Sequence, residues 1–211
     1  MRKAIIFGAT GLVGSFLLDN LLEDSDFYEV EVYGRTRLDK SHAKLKEKLV
    51  PFINLQEELS HIKADVVFCC LGTTLKKAGS KVKQMKIDHD FPLEILEICK
   101  KNEVERFVFI SSVGANSNSN NFYLSMKGKV DDKIQEEYSE NSIIVRPSLL
   151  KGPRKEFRFG EKLGYMIDFV FSPLYFGKLK KYKGIEAERV SETMIKLVKS
   201  NKFGIFESDQ L

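Results

Sequence analysis

The chain has 211 residues, 43% of them hydrophobic and 30% charged, with a net charge of +4. That length accommodates one sizeable core, and the apolar fraction excludes an intrinsically disordered chain. The small basic surplus is spread along the chain rather than massed, which argues against a nucleic-acid surface and suits a phosphate-bearing small ligand.

Residues 3–8 (KAIIFG) read as a buried strand, and residues 12–22 as the helix that follows. Residues 29–34 (EVEVYG) form a second strand, and a weak third is expected around 49–53, interrupted by Pro51. Residues 65–71 (DVVFCCL) make a fourth, followed by a long helix to about Asn102 in which Pro92 marks either a kink or a first turn. Residues 106–111 (RFVFIS) are the fifth strand, 123–138 a helix and 142–147 (SIIVRP) the sixth strand. Helical patterns at 160–171 and 187–199 and a short strand at 203–207 complete the chain. Strands apolar throughout, alternating with helices, imply a parallel sheet covered on both faces. The expected fold is α/β: a doubly wound, mostly parallel Rossmann-like sheet with helices on both faces. It forms a single domain over 1–211, in which 151–211 makes a small substrate-side or lid region. Ligands of such folds bind beyond the C-terminal ends of the strands.

At the first of those ends stands Gly8-Ala9-Thr10-Gly11-Leu12-Val13-Gly14, a Gly-x-x-Gly-x-x-Gly pattern between strand and helix. Gly8 permits the tight turn, Gly11 lets the backbone approach a pyrophosphate, and Gly14 lets helix and strand pack closely. Thr10, Leu12 and Val13 complete the cradle, where the helix N-terminus offers unpaired N–H groups and a positive dipole end. At the end of the second strand, Tyr33-Gly34-Arg35-Thr36-Arg37 has no carboxylate for a ribose 2′-OH. A guanidinium there can grip a 2′-phosphate with paired hydrogen bonds. NADP(H) is therefore favoured over NAD(H), with Arg35 the principal contact and two solvated loop arginines the plain alternative.

Tyr123-Leu124-Ser125-Met126-Lys127 puts a phenol and an ammonium one helical turn apart on one face. A free phenol titrates near ~10, and a neighbouring cation favours its phenolate, as proton exchange with a carbonyl or alcohol requires. Lys127 is also suited to the nicotinamide ribose hydroxyls. The pattern arises by chance about once in a chain of this composition, so its position carries the argument. Ser112 closes the fifth strand on the same sheet edge and can hydrogen-bond a substrate oxygen. A turn serine and a packed tyrosine are the bland alternative.

Taken together, GATGLVG, CCLGTT, RFVFISSVGA, YLSMKG and RPSLL resemble, in this order, the short-chain dehydrogenases/reductases. More narrowly they resemble the atypical, Tat-interacting-protein-like oxidoreductase branch. That resemblance implies Ser112, Tyr123 and Lys127 as catalytic triad, Leu71, Gly72 and Thr73 at the cofactor ribose, and Pro147 beside the nicotinamide. Two positions depart from the pattern. Asp88 stands near the place of an Asn that serves proton relay, and Pro147 is followed by Ser148 where relatives often have Gly.

The expected function is reduction of a small or apolar carbonyl compound with NADP(H). A nucleotide-sugar epimerase normally needs a larger C-terminal region than residues 151–211. The alternative is a non-catalytic NADP(H)-binding regulator or scaffold. Residues 160–183 combine aromatic and aliphatic side chains with Lys178, Lys180, Lys181 and Lys183. They fit a core helix, an apolar lid or a peripheral patch on an acidic membrane, of which the lid is preferred. Cys69, Cys70 and Cys99 form no disulfide framework or metal-ligand spacing and read as packed small hydrophobes. Without a signal peptide or an apolar run of ~18 residues, they point to the cytoplasm.

Overall fold

A computed structural model describes residues 1–153 and 177–211. Strands β1 (Arg2–Phe7), β2 (Phe27–Gly34) and β3 (Leu45–Leu49) step towards one edge of a sheet. Strands β4 (Val66–Cys69), β5 (Arg106–Ile110) and β6 (Ser142–Arg146) step from β1 towards the other. A separate ribbon pairs β7 (Leu150–Lys151) with β8 (Ile185–Glu186), and β9 (Gly204–Glu207) closes the main sheet. The order β3-β2-β1-β4-β5-β6-β9, parallel at every pairing, is the expected doubly wound sheet. Its direction of winding reverses between β1 and β4, which opens a crevice at their C-terminal ends.

The period of two along β1 feeds two cores. Ala4 and Ile6 join Leu17 and Leu21 of α1 (Leu12–Glu23) on one face. Ile5 and Phe7 join the other face, where α2 (Leu55–Glu58) contributes Leu55. Each large side chain buried this way contributes ~1.5–3 kcal/mol, enough in sum to determine the strand's depth and register.

The third strand runs Leu45–Leu49 instead of 49–53. Its sequence, LKEKL, is largely solvated at the sheet edge, so it lacks the apolar signal of the others. Pro51 ends it, and the Glu58 carboxylate accepts the N–H groups of Phe52, Ile53 and Asn54 at 3.2, 3.1 and 3.2 Å. The long helix is also divided. A first turn, α3 (Leu75–Ala78), is capped by Thr74 and stopped by Gly79 at φ 78°. Ser80 then caps α4 (Lys81–Met85), which passes through a π-helical turn (Lys86–Asp90) into α5 (Phe91–Lys101). Pro92 sits in the first turn of α5, where the wide turn relaxes the ladder to which proline cannot donate.

Helix α6 (Phe122–Tyr138) packs Val130 and Ile134 into the same core as Ile95 and Leu96 of α5. On the opposite face α7 (Ala187–Lys199) lays Val190, Met194 and Val198 beside α1. Of residues 160–183, only a 3-10 helix at Gly177–Tyr182 is described, so the expected helix at 160–171 lies outside the described residues. Cys69 and Cys70 face opposite cores, as neighbours on a strand must, and Cys99 is buried. Burial pushes the Cys69 thiol up to about 12.

Candidate active site

The glycine-rich turn closes tightly at the crevice because Gly8 and Gly14 have no room for a side chain. Gly8 has φ 86°, and a Cβ there would stand 2.6 Å from the Cys70 carbonyl oxygen. A Cβ on Gly14 would stand 2.2 Å from the Gly8 oxygen, so α1 meets β1 by backbone contact. Gly11 donates to the Gly8 carbonyl at 3.0 Å and begins α1 without a capping side chain or an acidic residue in the first turn. This bare, positive helix end fits a pyrophosphate. Thr10 and Gly11 are exposed at its mouth. Val13 is buried in the core, so any contact it makes there is through its backbone. Leu12 lies against Gly152, which ties the turn to the chain after β6.

Beyond β2, Arg35, Thr36 and Arg37 are all exposed, and neither arginine has an ion pair among the described residues. The nearest acid within the strand is Glu31, which is already engaged. Lys3 Nζ lies 2.8 Å from it and the Tyr33 hydroxyl donates to it at 3.1 Å. Burial, with the Glu31 charge, pushes the Tyr33 phenol up while its ring stacks on Phe7. Arg35 thus stands at the strand's mouth without a competing carboxylate.

Leu71, Gly72 and Thr73 follow β4 as an extended loop. The buried Asp88 carboxylate accepts the Thr73 N–H at 2.9 Å, and buried Gln84 donates to the Thr73 carbonyl at 3.3 Å. Asp88 therefore acts from the π-helical turn as a clamp on this loop, a role its charge alone did not reveal. Ser148, the second departure, is also employed. Its N–H donates to Ser208 Oγ at 3.1 Å and its hydroxyl to the Lys183 carbonyl, which joins the chain beyond β6 to the C-terminal region.

At the end of β5, Ser111 donates its N–H to the Val145 carbonyl at 2.8 Å, and Val113 to that of Pro147 at 3.0 Å. Ser112, between them, lies next to buried Pro147 at the sheet edge. The loop then folds back over the start of α6. Asn116 donates to the Leu124 carbonyl at 3.1 Å, Ser125 Oγ to that of Ser117 at 2.9 Å, and Asn121 caps the helix. Gly128 makes this closure possible, since a Cβ there would stand 2.2 Å from Asn116 and Ser117 backbone atoms.

Tyr123 is half-buried in the first turn of α6, while Lys127 is only 2% exposed. Lys127 Nζ donates to the Ile110 carbonyl at 2.9 Å and lies 4.3 Å from the centre of the Phe109 ring. The structure thus brings Lys127 to the strand end two residues before Ser112, with Tyr123 one turn back along its helix. No hydrogen bond joins Ser112, Tyr123 and Lys127 directly among the described residues; the Ser112 hydroxyl donates instead to the Val113 carbonyl at 3.4 Å.

Sequence reasoning missed a buried set beneath this cluster. Asp131 accepts from Ser111 Oγ at 2.9 Å and from Arg146 Nε at 2.8 Å, and Arg146 continues to Glu207 at 3.2 Å. Burial pushes the Asp131 carboxyl up, against the opposing pull of Ser111 and Arg146. Its signal was present as a carboxylate four residues after Lys127, on the helix face turned to the sheet.

Residues 4–169 match the NAD dependent epimerase/dehydratase family. Protein HTATIP2 of Rattus norvegicus is 34% identical over 166 residues, covering 77% of this chain and 68% of that protein, which bears out the Tat-interacting-protein-like resemblance. Protein FMP52, mitochondrial, of Kluyveromyces lactis is 33% identical over 221 aligned positions, covering 99% of this chain and 96% of that one. The NAD+ complex of Bordetella bronchiseptica WbmH has the same fold, with a TM-score of 0.73 and 17% identity, covering 98% of this chain and 75% of that one. Further fungal relatives are also named as mitochondrial, which overturns the cytoplasmic placement expected from the cysteines. Free thiols report reducing surroundings, and the cytosol is only one such compartment.

Proposed function

The chain belongs to the NAD dependent epimerase/dehydratase family, and on that premise we propose that it is an NADP(H)-dependent reductase of a small or apolar carbonyl compound. The observation that carries this reading is the burial of Lys127 against the Ile110 carbonyl, one turn from Tyr123 and beside the strand end that bears Ser112. An ammonium is costly to remove from water, so a buried one whose hydrogen bond among the described residues goes to a backbone carbonyl, with a ring face and the Asp131 charge nearby, suits a further task.

Gly8, Gly11 and Gly14, with the N–H groups around Thr10, Leu12 and Val13, would hold the pyrophosphate. Arg35 would hold the 2′-phosphate, Leu71, Gly72 and Thr73 the cofactor ribose, and Pro147 the nicotinamide side. When bound, the nicotinamide supplies the hydride. Ser112 Oγ donates to the carbonyl oxygen and fixes its direction. As the carbonyl carbon is reduced, the Tyr123 O–H bond breaks and its proton passes to that oxygen, completing the alcohol. Lys127 stabilises the phenolate left behind and offers its remaining N–H groups to the ribose hydroxyls. Tyr123 then regains a proton from solvent.

The test begins with titrations of NADPH and NADH, followed by nicotinamide emission, which is read cleanly because the chain has 0 Trp. NADPH is expected to bind more tightly; equal or tighter NADH binding overturns the phosphate preference. A panel of carbonyl compounds is then followed by NADPH oxidation. Tyr123→Phe should bind NADPH and lose turnover. Full biological activity in that variant would establish the non-catalytic regulator instead.

A further inference from the structure

Tyr123, Lys127 and Asp131 recur at intervals of four along one face of α6. The third of them is fully buried and, among the described residues, hydrogen-bonds to neither of the other two, although it feels the Lys127 charge. Its Oδ2 atom takes Ser111 Oγ at 2.9 Å together with Nε and Nη2 of Arg146, each at 2.8 Å. Ser111 precedes Ser112 at the end of β5, and Arg146 precedes Pro147 at the end of β6. One carboxylate oxygen therefore ties the helix to both strand ends that border the candidate site. The second oxygen, Oδ1, is buried without a hydrogen-bond partner among the described residues.

Such a group is a poor choice for stability. A buried ion pair gains little over apolar packing of the same volume, and an unsatisfied buried oxygen is a further loss. What three directed bonds add is registration: they permit one rotation and one height of α6 against β5 and β6. Lys127 stands a single turn from this clamp, so a shift of the helix moves its ammonium away from Ile110 O and from the cleft.

We propose that Asp131 is the positioning residue of the site, its carboxylate locking α6 to Ser111 and Arg146 so that Lys127 is held at the cofactor edge. The proposal rests on the assignment of Lys127 to cofactor binding made above. It requires Asp131 to act through Lys127, and this is measurable without turnover.

NADPH dissociation constants of the full chain are measured for wild type, Lys127→Ala, Asp131→Asn and the double variant. Each single substitution is expected to weaken binding about tenfold, with the double variant no weaker than Lys127→Ala alone. Multiplicative losses, about a hundredfold in the double variant, overturn the proposal, because Asp131 would then act independently of Lys127. Should Asp131→Asn fail to fold, Ser111→Ala replaces it, removing one bond and sparing the ion pair. It should weaken NADPH about threefold in the Lys127 protein, leave the Lys127→Ala protein unchanged, and be rescued by Ser111→Thr. Unaltered affinity in Ser111→Ala counts against the clamp. Equal NADPH affinity in wild type and Lys127→Ala instead refutes the assignment of Lys127, a distinct failure.

Discussion

The turn between β1 and α1 and the junction of β5, α6 and β6 face the same edge of the sheet, yet they are built of different materials. The first is backbone: three glycines whose missing side chains allow chain segments to touch, and a helix end left bare. The second is side chain: Lys127 on a strand carbonyl, with Asp131 joining Ser111 and Arg146 across the sheet. A site made from backbone depends on local conformation, and so it is compact in sequence. A site made from side chains depends on register between elements far apart in the chain, and each contact is exposed to small shifts of a helix.

That contrast can be broken most sharply at Tyr123. Tyr123→Phe is expected to lower kcat about a thousandfold, or ~4 kcal/mol of barrier, with the NADPH dissociation constant unchanged. Parallel loss of binding and turnover would mean that the two regions are not separable. Gly14→Ala should act in the opposite sense, at the level of the fold. Its methyl group has to displace the Gly8 carbonyl from 2.2 Å, which costs about 3 kcal/mol in chemical denaturation. Gly128→Ala meets equally close atoms, but they belong to the loop after β5, which can retreat more easily than a strand-to-helix turn. It should therefore cost less stability, about 1–2 kcal/mol, and more turnover than a surface change.

Arg35→Ala is comparable in size to Gly128→Ala. It should weaken NADPH about tenfold, consistent with loss of a charge-assisted contact, and leave NADH unaffected. Equal weakening of both dinucleotides would show that Arg35 reads something other than the 2′-phosphate.

The smallest effect belongs to a surface far from the cleft. Hydrogen bonds from Lys100 and Lys133 hold the Glu137 carboxyl down to about 2. A carboxylate held down in the folded state stabilises it above its ordinary titration range, and the benefit is lost as the pH falls from about 4.5 through about 2. The side chain is 19% exposed and its lysine partners more so, so solvent reduces the contribution to at most about 1 kcal/mol. Glu137→Gln should lower the thermal midpoint slightly at pH 7 and make no difference near pH 2. An unchanged difference across that range would assign the effect to packing.

The sequence alone was enough for the chain order of the main-sheet strands and of the long helices α1, α6 and α7, because strands buried on both faces must be mostly apolar, but it had no signal for the short α2 or the β7–β8 ribbon. It missed the true span of β3, whose solvated LKEKL has no such requirement. It also passed over the break at Gly79 and Ser80, where one left-handed residue and one cap outweigh the surrounding helical pattern. In the candidate site, the glycine turn was legible from spacing, as were Tyr123 and Lys127 on one helical face. The duties of Asp88, Ser148 and Asp131 were not, since each meets its partner across 15 or more residues.

What the chain determined by itself, then, is the kind of fold and the turn suited to a dinucleotide, both set by local sterics and burial periodicity. Only the tertiary structure decided that Lys127 is buried on the Ile110 carbonyl, that Asp88 clamps Thr73, and that Asp131 gathers Ser111 and Arg146. Charged and polar residues have no periodicity that reveals their partners. Desolvation makes them costly to bury alone, and only the packed sheet determines which donor lies within reach.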